Sequence, residues 1–207
     1  MDHQKIFSTN LFILDDFLPQ VTTAEKDIVN GMKKYISDLW VDRKYDENWQ
    51  TKSADLHKKK EFKYFTESVI AVSKKIINAL DYSVEYITIT DMWANVLKDS
   101  ESHPVHTHSN NFLSGTYYLQ SDQSASIVFH DPRPAADVIV PRKKEKTLDN
   151  SNLVTYASKT NRAIMFPAWL VHWVPINKST KNRISISWNI QLKGQLGEHH
   201  EFQSADF

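Results

Sequence analysis

Arg183-Ile-Ser-Ile-Ser-Trp-Asn189 alternates polar and apolar side chains without a break. Side chains of an extended chain point to opposite faces in turn. Arg183, Ser185, Ser187 and Asn189 therefore share one face, and Ile184, Ile186, Trp188 and Ile190 the other. Read alone, this is a half-exposed strand with a wet polar face. The same period of two, with β-branched and aromatic residues dominating, runs outward through 84–97, 112–120, 126–129, 162–166 and 183–192. Upstream of Ser83 the pattern changes. Thr22-Thr-Ala-Glu25 is a capping box, followed by Ile28, Met32, Tyr35, Ile36 and Leu39 at helical spacing. After a polar stretch at 41–60, Phe65, Val69, Val72, Ile76 and Leu80 mark the apolar stripe of a second helix, which needs a sheet to cover.

Helices first and strands afterwards predict an α+β fold. The expected core is a jelly roll (a double-stranded β-helix, cupin-like) at about 83–192, with the helices of 1–82 packed on one sheet. The tail 193–207 reads as loosely ordered, and 1–207 as one domain. The polar segment 132–161, which contains Arg142-Lys-Lys-Glu-Lys146, is longer than ordinary strand connections and reads as a lid or a disordered insertion.

Composition narrows the chemistry. The 207 residues carry 25 basic and 25 acidic side chains, so a general electrostatic grip on nucleic acid is not expected. There is no cysteine, which removes disulfides, thiolate zinc sites, iron–sulfur clusters and cysteine nucleophiles together. Any metal must use His, Asp or Glu. The four glycines form no phosphate-cradling cluster. Residues 1–12 lack the pattern of a secretory signal and no long apolar run occurs, so the expected location is the cytoplasm of a bacterial or phage-infected cell.

Histidine placement is the most informative feature. Three of nine histidines lie in Glu101-Ser-His103-Pro-Val-His106-Thr-His108, just before the strand Leu113-Ser-Gly-Thr-Tyr-Tyr-Leu119. In an extended segment His106 and His108 point to the same side and can reach one ion. His172, in Phe166-Pro-Ala-Trp-Leu-Val-His172-Trp, is a distant third candidate, which suits a site assembled between strands with coordination positions left open. A lone His-x-His pair is more often surface. Arg183 with Ser185 adds a planar fork and a hydroxyl suited to gripping a carboxylate. Asn95, on the strand leading to the histidine segment, is a candidate donor at the same place, although packing explains it and Trp93 as well. His130-Asp131-Pro-Arg133, Trp169 and Trp173 are candidate cleft walls, with turn and core roles as the plainer readings. His199 and His200 read as exposed, Asn110 as a poor ligand and His103 as lying outside the ligand set.

Together, His106-x-His108, the Ser114-Gly-Thr-Tyr-Tyr-Leu119 strand, the Phe166-Pro…His172 element and Arg183-x-Ser185 resemble the 2-oxoglutarate/Fe(II)-dependent oxygenases, in particular the prolyl-hydroxylase-like group of bacteria and their phages. The resemblance covers about 91–192. Weaker echoes lie in Asp15-Asp-Phe-Leu-Pro19 and Trp49-Gln-Thr-Lys-Ser53-Ala-Asp-Leu-His57. It implies Fe(II), 2-oxoglutarate and O2 as cofactor and co-substrates, with His106 and His172 as metal ligands. Arg183, assisted by Ser185 and the Tyr118 hydroxyl, would bind the distal carboxylate. His108 stands where the usual triad has a carboxylate, which implies a three-histidine site with more positive charge at the metal. The implied reaction is oxidative decarboxylation to succinate and CO2 coupled to hydroxylation of a C–H bond, in a peptidyl proline or a small metabolite. No membrane partner is expected, and a homodimer stays open. Two other readings also remain open at this point: a three-histidine zinc hydrolase or lyase, and a non-catalytic ligand-binding jelly roll.

Overall fold

The change of period at Ser83 marks the seam between a helical layer and two antiparallel sheets. The computed structural model describes residues 1–2, 4–40, 49–133, 135 and 138–207. Residues 41–48 of the polar stretch and 134, 136 and 137 of the segment 132–161 lie outside the described residues.

Two helices, α1 (Thr23–Trp40) and α2 (Lys63–Ala79), precede the strands. The capping box forms as its spacing predicts: Glu25 N–H donates to Thr22 Oγ1 at 3.2 Å, and the Glu25 carboxylate accepts the Thr22 N–H at 2.8 Å. Met32 and Ile36 of α1 and Phe65, Val69 and Ile76 of α2 are buried, whereas Leu39 is exposed. A short strand β1 (Phe12–Leu14) precedes α1; at three residues it carries too little alternation to stand out in the sequence.

The remaining strands are β2 (Tyr86–Leu97), β3 (His103–His106), β4 (Leu113–Gln120), β5 (Ile127–His130), β6 (Leu153–Tyr156), β7 (Ala163–Pro167), β8 (His172–Val174) and β9 (Arg183–Lys193). They form a five-stranded sheet, β1-β7-β4-β9-β2, and a four-stranded sheet, β3-β8-β5-β6. This is the jelly-roll core that the strand pattern predicts. The helices cover the outer face of the larger sheet, where Met92, Ala94, Tyr117, Met165, Ile186 and Trp188 meet Phe62 and Phe65 in one apolar cluster. Burying each such side chain contributes about 1.5–3 kcal/mol. Tyr118, Ile127, Phe129, Ile164, Phe166 and Leu170 form a second cluster between the sheets. Gly115 lets β4 pass under Trp188, because a Cβ there would lie 2.3 Å from Trp188 Cζ2.

Two expectations change. The polar face of 183–189 is not wet: Arg183, Ser185, Ser187 and Asn189 are all buried, because this face looks into the space between the sheets. The segment 132–161 is not wholly a lid or an insertion. Its end supplies β6, which pairs with β5 in the register Ile127↔Tyr156 to His130↔Leu153 and completes the smaller sheet. In the tail, β10 (Gln195–Leu196) pairs with β11 (Ala205–Asp206), closed by backbone bonds between Gly194 and Phe207 at 3.0 and 3.1 Å.

Candidate metal centre

The antiparallel pairing of β3 and β8 sets His106 directly opposite His172. His108 lies two residues further on, in a turn fixed by its N–H donating to the Ala168 carbonyl at 2.9 Å. One ring nitrogen from each of the three histidines lies within 4.8 Å of the others, so the cluster is of a size to hold one metal ion. The Nε2 atoms of His108 and His172 are 3.3 Å apart.

Backbone carbonyls orient two of the rings. His106 Nδ1 bonds to Pro104 O and His172 Nδ1 to Leu170 O, both at 2.8 Å. A carbonyl only accepts, so each Nδ1 carries the proton and each Nε2 keeps a bare lone pair. His108 is hydrogen-bonded by the Asn189 side chain, whose Oδ1 also accepts the Ser114 hydroxyl proton at 2.8 Å. His103 stacks on His106, with ring centroids 4.2 Å apart, and is not one of the three histidines of the cluster.

Burial holds all four imidazoles neutral. It pushes His172 and His103 down to about 3 and His108 to about 4, with the neighbouring histidines adding to the effect. His106 is also lowered by burial, against the opposing pull of the Pro104 carbonyl. At neutral pH the cluster presents lone pairs rather than protons, which is the form that binds metal.

Arg183 opens β9 with its side chain in the same cleft, 2% exposed. Its Nη1–H donates to Ser185 Oγ at 3.0 Å, and the guanidinium carbon lies 4.9 Å from the centroid of the Tyr118 ring. Among the described residues no carboxylate pairs with it. Burial lowers its pKa from the ordinary value, but a guanidinium stays charged. Arg183 Nε and the Tyr118 hydroxyl are buried without a hydrogen-bond partner of good geometry, the hydroxyl lying close enough to the guanidinium to interact with it. Asn95 donates from Nδ2 to Ser187 Oγ at 3.1 Å, leaving its Oδ1 unpartnered. A buried cation without a counterion is costly, so this end of the cleft is built for an anion. The apolar walls come from Ile127, Phe166 and Val174.

The site therefore joins all seven residues singled out for it in the sequence: His106, His108, His172, Arg183, Ser185, Tyr118 and Asn95. It also includes Trp93, whose ring stacks on His108 at 5.7 Å and whose indole N–H is buried without a partner. The alternation of β2, which puts Trp93 on the Asn95 face, was the signal for it. Other candidates fall elsewhere. His130, Asp131 and Arg133 line a different pocket, because β5 ends at His130 and Asp131 is taken up by a fork from Arg133 at 2.6 and 3.0 Å. Trp169 is 55% exposed, and neither it nor Trp173 lines the cleft. Asn110 uses its backbone carbonyl to accept from Gln191, and His199 and His200 sit on the exposed tail.

The model of the family described as "Putative 2OG-Fe(II) oxygenase" matches residues 91–189, which hold every residue of this cleft. Among solved structures, the chain is similar to the non-heme alpha-ketoglutarate-dependent epimerase SnoN from nogalamycin biosynthesis, with a TM-score of 0.63 at 11% identity, covering 88% of this chain and 78% of that one. A prolyl-4-hydroxylase of Pseudomonas putida gives 0.54 at 10% identity, with 90% of each chain covered. HygX from Streptomyces hygroscopicus, solved with nickel and 2-oxoglutarate, gives 0.58 at 11% identity, covering 88% of this chain and 83% of that one. At such identities the likeness concerns the fold. No curated protein sequence matches the chain.

Proposed function

We propose that the chain, whose residues 91–189 match the model of the 2OG-Fe(II) oxygenase family, is a 2-oxoglutarate/Fe(II)-dependent oxygenase that hydroxylates a C–H bond of a small-molecule or peptidyl substrate at the His106–His108–His172 cluster. The observation that carries the reading is the buried, unpaired guanidinium of Arg183 in the same cleft as three bare imidazole nitrogens. A dicarboxylate that chelates a metal at one end and needs a cation at the other suits that pairing.

The donor set fits the group. Three neutral imidazoles give Fe(II) the nitrogen ligands it accepts and leave coordination positions open. Bound there, iron would supply oxidative chemistry with O2 as the oxidant, one oxygen atom passing into succinate as 2-oxoglutarate loses CO2 and the other into the substrate C–H bond. The protein's own contribution is placement. Arg183 neutralises the distal carboxylate, with Ser185 steering the fork, and Arg183 Nε and the Tyr118 hydroxyl are the donors still free to reach it. Asn95 Oδ1 and the Trp93 indole N–H, the latter on the ring that stacks on His108, are unpartnered polar groups of the same cleft and would accept from and donate to what binds there. Pro104 O and Leu170 O hold the His106 and His172 rings in the metal-binding tautomer. Ile127, Phe166 and Val174 keep bulk water from the reacting end.

The zinc hydrolase reading loses ground on one point: no carboxylate lines the cleft among the described residues, which leaves as general base only the His103 imidazole, lowered by burial to about 3. The ligand-binding jelly-roll reading leaves the unpaired Arg183 beside the histidine cluster without a reason. The test is turnover of labelled 2-oxoglutarate by iron-loaded protein. The reading expects Fe(II)- and O2-dependent succinate, lost in Arg183→Ala. Succinate formation that is unchanged in Arg183→Ala would count against it.

A further inference from the structure

Behind His172, on the side away from the metal cluster, lies a second cavity of about 450 Å³, within the range of about 300–1,000 Å³ typical of small-molecule sites. It lies against β5 and β6 of the smaller sheet. The N-terminal segment before β1 runs along one side, with the loop before β6 on the other. None of the residues that line it lines the metal cleft. The two linings touch at His172. The Phe129 ring, on the cavity side, lies 5.9 Å from the His172 ring, and the Leu170 carbonyl accepts the His172 Nδ1 proton at 2.8 Å.

The lining defines what fits. Phe129, Tyr156, Leu11, Val154 and Leu170 give an apolar floor with two aromatic rings. Ser8, Thr9, Ser151 and Asn152 give a rim of hydroxyls and an amide. The charged side chains are paired among themselves: Lys5 with Asp149 at 2.8 Å, across the two sides of the mouth, and Arg133 with Asp131 at 2.6 Å. Among the described residues the charged side chains of the lining pair with one another, so they leave no free charge to answer the desolvation of a charged ligand. Phe7 stands at this mouth with its residue 89% exposed and its φ at 56°, a left-handed conformation that bulky residues rarely keep without a reason. A ring-shaped occupant would give that exposed phenyl a surface to cover.

We propose that this cavity is a second ligand site, taking an uncharged ring-containing molecule with hydroxyl or amide substituents, and that its occupant acts on the metal centre through Leu170 and His172. Binding at this site does not depend on the oxygenase reading, because it needs neither metal nor turnover. The effect on the metal rests on His172 being a ligand.

The test uses the full chain and prodan, a neutral naphthyl ketone whose emission shifts to the blue in apolar surroundings. We expect saturable one-to-one binding to metal-free protein, weakened at least tenfold by Ser151→Trp and separately by Ser8→Trp, two fillings on opposite sides of the mouth. His106→Ala should leave prodan binding unchanged. In cobalt-loaded protein, prodan should shift the cobalt ligand-field bands. No saturable binding, binding indifferent to both fillings, or binding lost in His106→Ala would each overturn the second site. An unmoved cobalt spectrum with prodan bound would overturn the link through His172.

Discussion

His108 and His172 face each other through their Nε2 atoms at 3.3 Å, with ring planes 2° apart. With the His108 ring proton engaged by the Asn189 side-chain oxygen, two lone pairs meet at that distance and repel unless something positive lies between them, and burial disfavours an added proton in that role. A divalent metal resolves the conflict. His172→Ala should therefore lower the affinity for Fe(II) or Co(II) by at least 100-fold, while His103→Ala, outside the cluster, lowers it far less. Isothermal titration with Co(II) measures both; equal losses would remove the distinction drawn between ligand and neighbour.

Arg183 is costly to the empty protein and useful only when an anion arrives. Replacing even a paired buried charge with apolar side chains of similar volume is often neutral or stabilising by about 1–4 kcal/mol, and Arg183 has no carboxylate partner among the described residues. Arg183→Met is expected to melt at or above the wild-type temperature without ligand. The rise in melting temperature that 2-oxoglutarate gives iron-loaded wild type should vanish in the variant. A ligand-free variant that is strongly destabilised, or one that 2-oxoglutarate still stabilises, would contradict this role.

The histidines make the metal-free protein sensitive to acid. His103, His108 and His172 lie near 3, 4 and 3 in the folded state, below their ordinary 6.5. Folding thus favours their neutral forms. The stabilisation is complete above pH about 6.5 and is lost as pH falls through that value toward the folded ones. The melting temperature of metal-free protein should fall steadily from pH 7 to 5, where carboxylates still contribute little. His103→Phe should flatten part of that slope, and a flat profile in the wild type would show that these groups are not held neutral.

Asn189 takes for His108 the place that carbonyl oxygens take for the other two rings. Asn189→Leu removes the acceptor and should cost about 10–100-fold in metal affinity, the usual effect of losing a partner behind a ligand. Ser114→Ala, which loosens Asn189 without removing it, should cost less. Metal titration of both variants orders them, and a larger loss in Ser114→Ala would reverse the relationship.

The close pass of β4 under Trp188 gives a prediction about the fold. Gly115→Ala sets a methyl 2.3 Å from Trp188 Cζ2 in a packed core. Overpacking of this kind typically costs about 1–3 kcal/mol. Urea unfolding should show it as a lower midpoint with an unchanged slope; full wild-type stability would mean that Trp188 can move aside.

What the sequence made legible followed from local rules. The alternation of 183–189 fixed the strand and its two faces, and the capping box fixed the start of α1. His106, His108, His172 and Arg183 stood out because each lay in a patterned stretch. What stayed hidden depended on long-range placement. Nothing in 183–189 tells whether its polar face meets water or a second sheet, and burial of Arg183 is the fact that gives it meaning. β1 and β6 are too short to show a period, and each forms only by pairing with a strand distant in sequence or across a long loop. Trp93 reads as packing until its ring is seen against His108, and His130-Asp131-Pro-Arg133 reads as a wall of the metal cleft until β5, ending at His130, is seen to deliver it to a different pocket.

The central claim is that the three histidines and Arg183 together hold one metal–2-oxoglutarate chelate. Anaerobic titration of iron-loaded protein with 2-oxoglutarate tests it most directly, through the visible charge-transfer absorption of that chelate. The account predicts a saturable band at one equivalent, absent in His172→Ala and needing at least tenfold more 2-oxoglutarate in Arg183→Ala. Folded, iron-loaded wild-type protein that gives no band at any 2-oxoglutarate concentration would contradict it.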